Sequence, residues 1–201
     1  MVIAWGSEAR IRTAIALLAV LTFAGCTAGQ EFRPEERLDP NTAVNVTIMA
    51  DPWVYSRDVP MLAANARDYL NVGVVETNRA GTRATWLGVI AWSTIDRSIF
   101  SGTPPVSRPL KARLRWSAAS LELEPAANGR AAVGLTSPAL IDPQTRFTET
   151  WYPLSAAQLA QLGKEAPASV ALLDEAGQPT IYLPWRVNPA AMSEFLEAIG
   201  L

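Results

Sequence analysis

Apolar and polar residues alternate with period two through most of the chain beyond Ala43. In "AVNVTIMA" the residues Val44, Val46 and Ile48 fall on one side. "YLNVGVVETN" and "ATWLGVIAWST" flank "RAGT", where Gly81 can supply the left-handed turn residue of a hairpin whose strands are rich in Val, Ile, Trp and Thr. The sharpest alternation is "RPLKARLRW": Leu110, Ala112, Leu114 and Trp116 face one way, and Lys111, Arg113 and Arg115 the other. After "SAAS" comes "LELE", with Leu121 and Leu123 inward. If residues 117–120 form the loop, Trp116 lies opposite Leu121, Arg115 opposite Glu122, Leu114 opposite Leu123 and Arg113 opposite Glu124. Both charge pairs then share one face and both apolar pairs the other. Further strands are predicted over 130–136, 145–152, 169–174 and 180–187, the last two joined through "EAGQP". Two stretches change to helical spacing. Ser155 can cap a short helix with Leu159 and Leu162 on one face, ending near Gly163. Asn188 and Pro189 open a second, with Met192, Phe195, Leu196 and Ile199 on its apolar side. Eight or nine strands at hairpin spacing predict a mainly β domain, an antiparallel sandwich or open barrel with a C-terminal helix.

The N-terminus follows a different pattern. Arg10 and Arg12 precede about a dozen uncharged residues, "TAIALLAVLTFA", the length of a signal-peptide apolar region. A membrane-spanning helix needs roughly 20. The run ends in Phe23, Ala24, Gly25 and Cys26, and Cys26 is the only cysteine of the chain. This end resembles the lipobox of bacterial lipoproteins, with Phe23 where Leu is usual. The resemblance covers residues 10–26. It implies that the Cys26 thiol is joined to diacylglycerol, that residues 1–25 are removed, and that the new amino group is acylated. Two or more acyl chains, each contributing about 0.8 kcal/mol per buried methylene, anchor a protein stably. Thr27 stands where that class carries Asp for retention in the inner membrane, which implies the outer membrane, facing the periplasm, in a cell with two membranes. Residues 26–42, rich in charge and proline, read as the lipidated cysteine and a flexible tether spanning about 20 to 24 Å. Residues 43–201 read as one globular domain.

Composition narrows the function by exclusion. The formal net charge is −2, and Met1–Gly25 hold two arginines and one glutamate, so the remainder is slightly more acidic and lacks the basic footprint of a nucleic-acid binder. With Cys26 lipidated no thiol is left for a disulfide, and stability must come from a packed core. There is no histidine, which removes the usual catalytic triads, the usual zinc sites and the commonest general base at neutral pH. No cofactor motif is present: the chain lacks a glycine-rich phosphate loop after a strand and a spaced acidic calcium loop. The densest polar stretch is "WSTIDRS", with Trp92, Asp96 and Arg97, and upstream stand Arg57 beside Asp58 and Arg67 beside Asp68. Arg57, Arg67, Trp92, Asp96 and Arg97 are candidates for an anionic-sugar or peptide site at a strand end. Read plainly, they are surface ion pairs. Six tryptophans follow Cys26, and alternation directs most of them into the core. The expectation is a membrane-anchored, non-enzymatic envelope protein that contacts another envelope protein or glycan. A glycan or small-ligand module on the same anchor, and a histidine-free carboxylate hydrolase, are the alternatives.

Overall fold

In the computed structural model, residues 32–60, 65–95, 110–140 and 147–201 are described, so Cys26, Asp96 and Arg97 lie outside the described residues. Among the described residues ten strands form one antiparallel sheet that does not close on itself. They are β1 (Glu35–Leu38), β2 (Asn45–Ile48), β3 (Trp53–Asp58), β4 (Arg67–Arg79), β5 (Thr82–Ser93), β6 (Lys111–Arg115), β7 (Ser120–Leu123), β8 (Phe147–Leu154), β9 (Ser169–Leu173) and β10 (Pro179–Arg186). Among the described residues three helices accompany them: α1 (Arg130–Val133), α2 (Ala156–Lys164) and α3 (Pro189–Ala198).

The spine is β4, 13 residues long. β5 pairs with it along one edge, while β3 and β2 share the other edge end to end, β3 against Arg67–Val72 and β2 against Val75–Asn78. β8 adds outside β5, β1 outside β2 and β10 outside β3. β10 then changes neighbours: its second half pairs with β3 and its first half with β9, which continues to β6 and β7. This bend folds β9, β6 and β7 over the inner face of β3, β4, β5 and β8. One core cluster accordingly takes Trp53 and Tyr55 from β3, Leu70, Val72 and Val74 from β4, Tyr152 from β8, and Leu114 and Leu172 from the folded-over half. Buried aromatic rings spend their polar tips across this layer: Tyr152 Oη donates to Leu110 O at 2.6 Å and Tyr55 Oη to Pro167 O at 2.9 Å. The core is closed by α3, whose Met192, Phe195 and Ile199 belong to the same cluster. Asn188 accepts from Ala190 N at its cap and Pro189 opens its first turn. At α2, Ser155 and Gln158 form a reciprocal capping box.

A smaller cluster covers part of the outer face, with Val44, Val46 and Ile48, as the alternation predicts, packed with Val75, Ile90, Val133, Leu135, Leu140 and Trp151. Leu140 sits over the paired Gly73 and Gly88, where a Cβ would lie 2.7 Å and 2.5 Å from its methyls. The loop leading into β2 is fixed by Asp39. Its Oδ1 accepts from the backbone of Asn41 and Thr42, and its Oδ2 from Thr136 N and Oγ1 at 2.7 and 2.8 Å. The Thr136 backbone bond above all holds this carboxyl far below the usual range. A depressed carboxyl contributes stability that is complete above its unfolded pKa, near 3.8, and is lost as pH falls below that value. Asp39→Asn should therefore lower stability at neutral pH and flatten the acid limb of a stability profile measured by urea denaturation. An unchanged acid limb would mean another group controls it.

Three expectations need correction. Residues 130–136 do not form a strand: Arg130–Val133 is a single helical turn between Gly129 and Gly134, both at positive φ, and Arg130 turns back to pair with Glu149 of β8. β1 lies inside the stretch read as a tether, and its four pairs with β2 bring the domain forward to Phe32, which packs on the main core. The β6–β7 hairpin is two residues tighter than a four-residue loop allows. Trp116 N donates to Ala119 O at 2.9 Å, so Arg115 faces Ser120, Leu114 faces Leu121, Arg113 faces Glu122 and Ala112 faces Leu123. A shift of two preserves the faces, because side chains repeat with period two. The charge pairs are thus Arg113 with Glu122 and Lys111 with Glu124, at 2.6 and 2.5 Å. A double-mutant cycle on Arg113 and Glu122 should give a favourable coupling of about 0.2 to 1 kcal/mol that fades with salt. The same cycle on Arg115 and Glu122 should give none, and the reverse result would restore the wider loop.

Candidate functional site

Two identical dipeptides, Arg57–Asp58 on β3 and Arg67–Asp68 on β4, run antiparallel with Arg57 opposite Asp68 and Asp58 opposite Arg67. Each arginine therefore meets the other strand's aspartate. The first pair lies on the inner face: Asp68 Oδ2 accepts from Arg57 Nε and Nη2 at 2.9 and 2.8 Å, and the guanidinium stands over the Tyr182 ring. The second lies on the outer face, where Asp58 Oδ1 accepts from Arg67 Nε at 2.7 Å. Asp58, and Tyr69 after it, raise the Arg67 pKa above its usual value. Arg57 and Arg67, candidates for one site, thus pair on opposite faces of the sheet, although both border one recess at its edge.

Arg67 is joined on the outer face by Trp92. Trp92 stacks on Tyr69 with ring centroids 4.4 Å apart, and its Nε1 donates to Asn71 Oδ1 at 3.0 Å. Tyr69 meets Trp185 edge to face at 6.2 Å, and the Arg67 guanidinium lies 4.5 Å over the Trp185 ring. Trp185 is 56% exposed, and Ile181 and Leu183, two and four positions earlier on the same side of β10, are 46% and 59% exposed. Three successive outward apolar positions make a stripe on a strand. Ser56, Arg57, Asp58, Arg67, Ile181, Leu183 and Trp185 line a shallow recess of about 260 Å³ beside it.

The stripe is the part that sequence reasoning misses. Alternation separates Ile181, Leu183 and Trp185 from Tyr182, Pro184 and Arg186, but an Ile-Leu-Trp row is assigned inward by its hydrophobicity. The structure buries Tyr182 instead, under Arg57. A bulge at Trp185 leaves that residue without a partner on β3, since Pro184 pairs with Tyr55 and Arg186 with Val54. Proline before a bulge is a usable signal, because it cannot donate to the ladder. Of the other tryptophans, Trp116 is buried as its alternation predicts, Trp53 and Trp151 are buried as well, and Trp86 and Trp92 are only half-buried.

A second recess, of about 370 Å³, lies on the inner face at the far end of β4 and includes Glu36, Asn45, Thr47, Glu76, Asn78 and Arg83. Burial raises the Glu76 pKa and Arg83 opposes the shift. Arg83 also donates to Ile199 O at 3.0 Å, so the Glu76–Arg83 pair, at 3.3 Å, ties the β4–β5 hairpin to the end of α3. Among the described residues no three Asp, Glu, His or Cys side chains gather as metal ligands, and no helix is long and apolar enough to cross a membrane. Comparison with protein-family models, with curated proteins and with solved structures finds no match.

Proposed function

We propose that the chain is a lipid-anchored envelope protein with a non-catalytic binding role, and that the outer side of β10 is its contact surface. The observation that carries the reading is the stripe Ile181, Leu183, Trp185, each about half exposed on a well-packed domain. Large apolar side chains held in water next to one another mark interaction sites. Here Tyr69 and Arg67 brace the indole from beneath, so the surface is ordered before anything binds. The anchor rests on the "TFAGC" resemblance and on the single cysteine. With Thr27 following, the site of action is the outer membrane, facing the periplasm, in a diderm cell.

Intact-mass analysis of membrane-extracted protein tests the anchor. The expected species begins at Cys26 and carries diacylglycerol, and Cys26→Ser should yield uncleaved precursor or soluble protein with the domain still folded. A mature chain starting elsewhere, or an unmodified Cys26, would sink the reading.

A glycan or small-ligand module on the same anchor is the second reading, favoured by Arg67, Asp58 and Trp185 around one recess. Under it, a soluble glycan would shift tryptophan emission, and Trp185→Ala would abolish the shift without relocating the protein. The hydrolase reading asks for two carboxyls with raised pKa across a cleft. Glu76 has such a shift, but Arg83 occupies it.

A further inference from the structure

We infer that the outer side of β10 rests on the lipid bilayer itself, as a second contact that fixes how the anchored domain is oriented; this builds on the anchor reading above. Three observations lead there. The first is shape. β10 belongs to both halves of the folded sheet, and both halves enclose the same core, so its outer side is the convex side of the bend. Ile181, Leu183 and Trp185 therefore stand on a ridge. A ridge of aliphatic side chains and one indole suits the boundary between headgroups and acyl chains, where tryptophan is favoured.

The second is charge. Arg67 is held by Asp58 at 2.7 Å, and Arg186, at the end of the stripe, by Asp51 at 3.3 Å. Both arginines shown beside the ridge among the described residues thus have an acidic partner, so it can approach anionic and zwitterionic headgroups alike, and its attachment should depend little on salt.

The third is reach. The domain begins at Phe32 rather than at Ala43, and six peptide steps from Cys26 to Phe32 extend at most about 22 Å whatever path they follow. The chain enters through β1, which lies in the same column of the sheet as the second half of β10, since both flank the strands that share one edge of β4. Arg186 is level with Asn71 of β4 and Glu35 with Val75, so the two ends are about 13 Å apart along the strands. A lipidated Cys26 thus keeps the ridge within reach of the surface it is anchored to. A single apolar contact of this size binds weakly alone, whereas beside a permanent anchor it acts at high effective concentration.

Because Cys26 is the only cysteine and would be acylated, Leu183→Cys introduces a single reactive thiol at a position already 59% exposed. The lipidated variant is labelled with an environment-sensitive fluorophore and placed in nanodiscs of phosphatidylethanolamine and phosphatidylglycerol. Ala118→Cys, in the exposed β6–β7 turn, serves as the comparison. The expected result is a blue-shifted emission at 183 that aqueous iodide does not quench, unchanged between low and high salt, with a fully quenchable label at 118. A label at 183 as quenchable as that at 118 overturns the inference and returns the ridge to a protein or glycan partner. Protection of both labels equally overturns it as well. Intact mass on the same preparations reads the anchor separately: an unlipidated Cys26 rejects the anchor reading, whereas a lipidated Cys26 with an aqueous 183 rejects only the bilayer contact.

Discussion

Phe195→Ala should lower the unfolding free energy by about 3 to 5 kcal/mol, measured by equilibrium denaturation. The ring is fully buried and belongs to the cluster that holds Met192, Ile199, Leu159 and Leu162. It therefore joins α3 to α2 and both helices to the core that the folded sheet leaves uncovered on its own. Removing it leaves a cavity that neighbours on two helices and two half-sheets cannot all close at once. Phe195→Leu keeps most of the volume and should cost less than half as much. A loss under about 1 kcal/mol for the alanine variant would mean that this helix face is not part of the core.

Gly73→Ala and Gly88→Ala should each destabilise by about 1 to 3 kcal/mol, and their response to a second substitution should separate them. At Gly73 a Cβ meets Leu140 alone, with 2.7 Å to its nearest methyl. At Gly88 it meets Leu140 at 2.5 Å and the Trp151 ring at 2.7 and 2.9 Å. In a Leu140→Ala background the Gly73 variant should become nearly neutral. The Gly88 variant should retain most of its cost, because Trp151 is fully buried and cannot withdraw. Equal rescue of both would show that the indole moves freely, contrary to its packing, and rescue of neither would place the strain in the backbone.

The parts of the fold legible in the sequence are those where local pattern and burial agree. Leu110 to Trp116 alternates against charge on a strand with one wet side, so its faces follow from composition, and α2 and α3 carry their own caps. The hairpin of β4 and β5 follows from Gly81, although the turn also places Ala80 at positive φ, which no alanine advertises. What the pattern cannot carry is register where a shift of two leaves every face intact, as at Leu114 and Leu121. It also cannot carry burial where both faces of a strand are apolar, as on β10. β1 was hidden because "EERL" has one apolar residue, Leu38, and that residue is 59% exposed; its order comes from backbone pairing with β2, which leaves no hydrophobic trace. At the site, the sequence marks Arg57, Arg67 and Trp92 by their neighbours, but distributing the two arginines to opposite faces needs the pairing of β3 with β4. The repeat of Arg–Asp on antiparallel strands explains that distribution. In register, each charge meets its opposite, whereas a slip of one would set Arg57 against Arg67 or Asp58 against Asp68.

The length of β4 also sets an order of assembly. It meets β5 through a two-residue turn, so the most extensive pairing in the molecule joins residues close in sequence and closes at little loop entropy. β10 reaches β3 only across more than a hundred residues, and the layer over the core cannot form until it arrives. Folding should then start at β4–β5 and end with the docking of β10 and α3, with a slow rate set by that distant closure. Pulse-labelled hydrogen exchange during refolding would show the amides of Val72 to Glu76 protected first and those of Ile181 and Tyr182 last. Simultaneous protection of both sets would mean that the sheet condenses in one step.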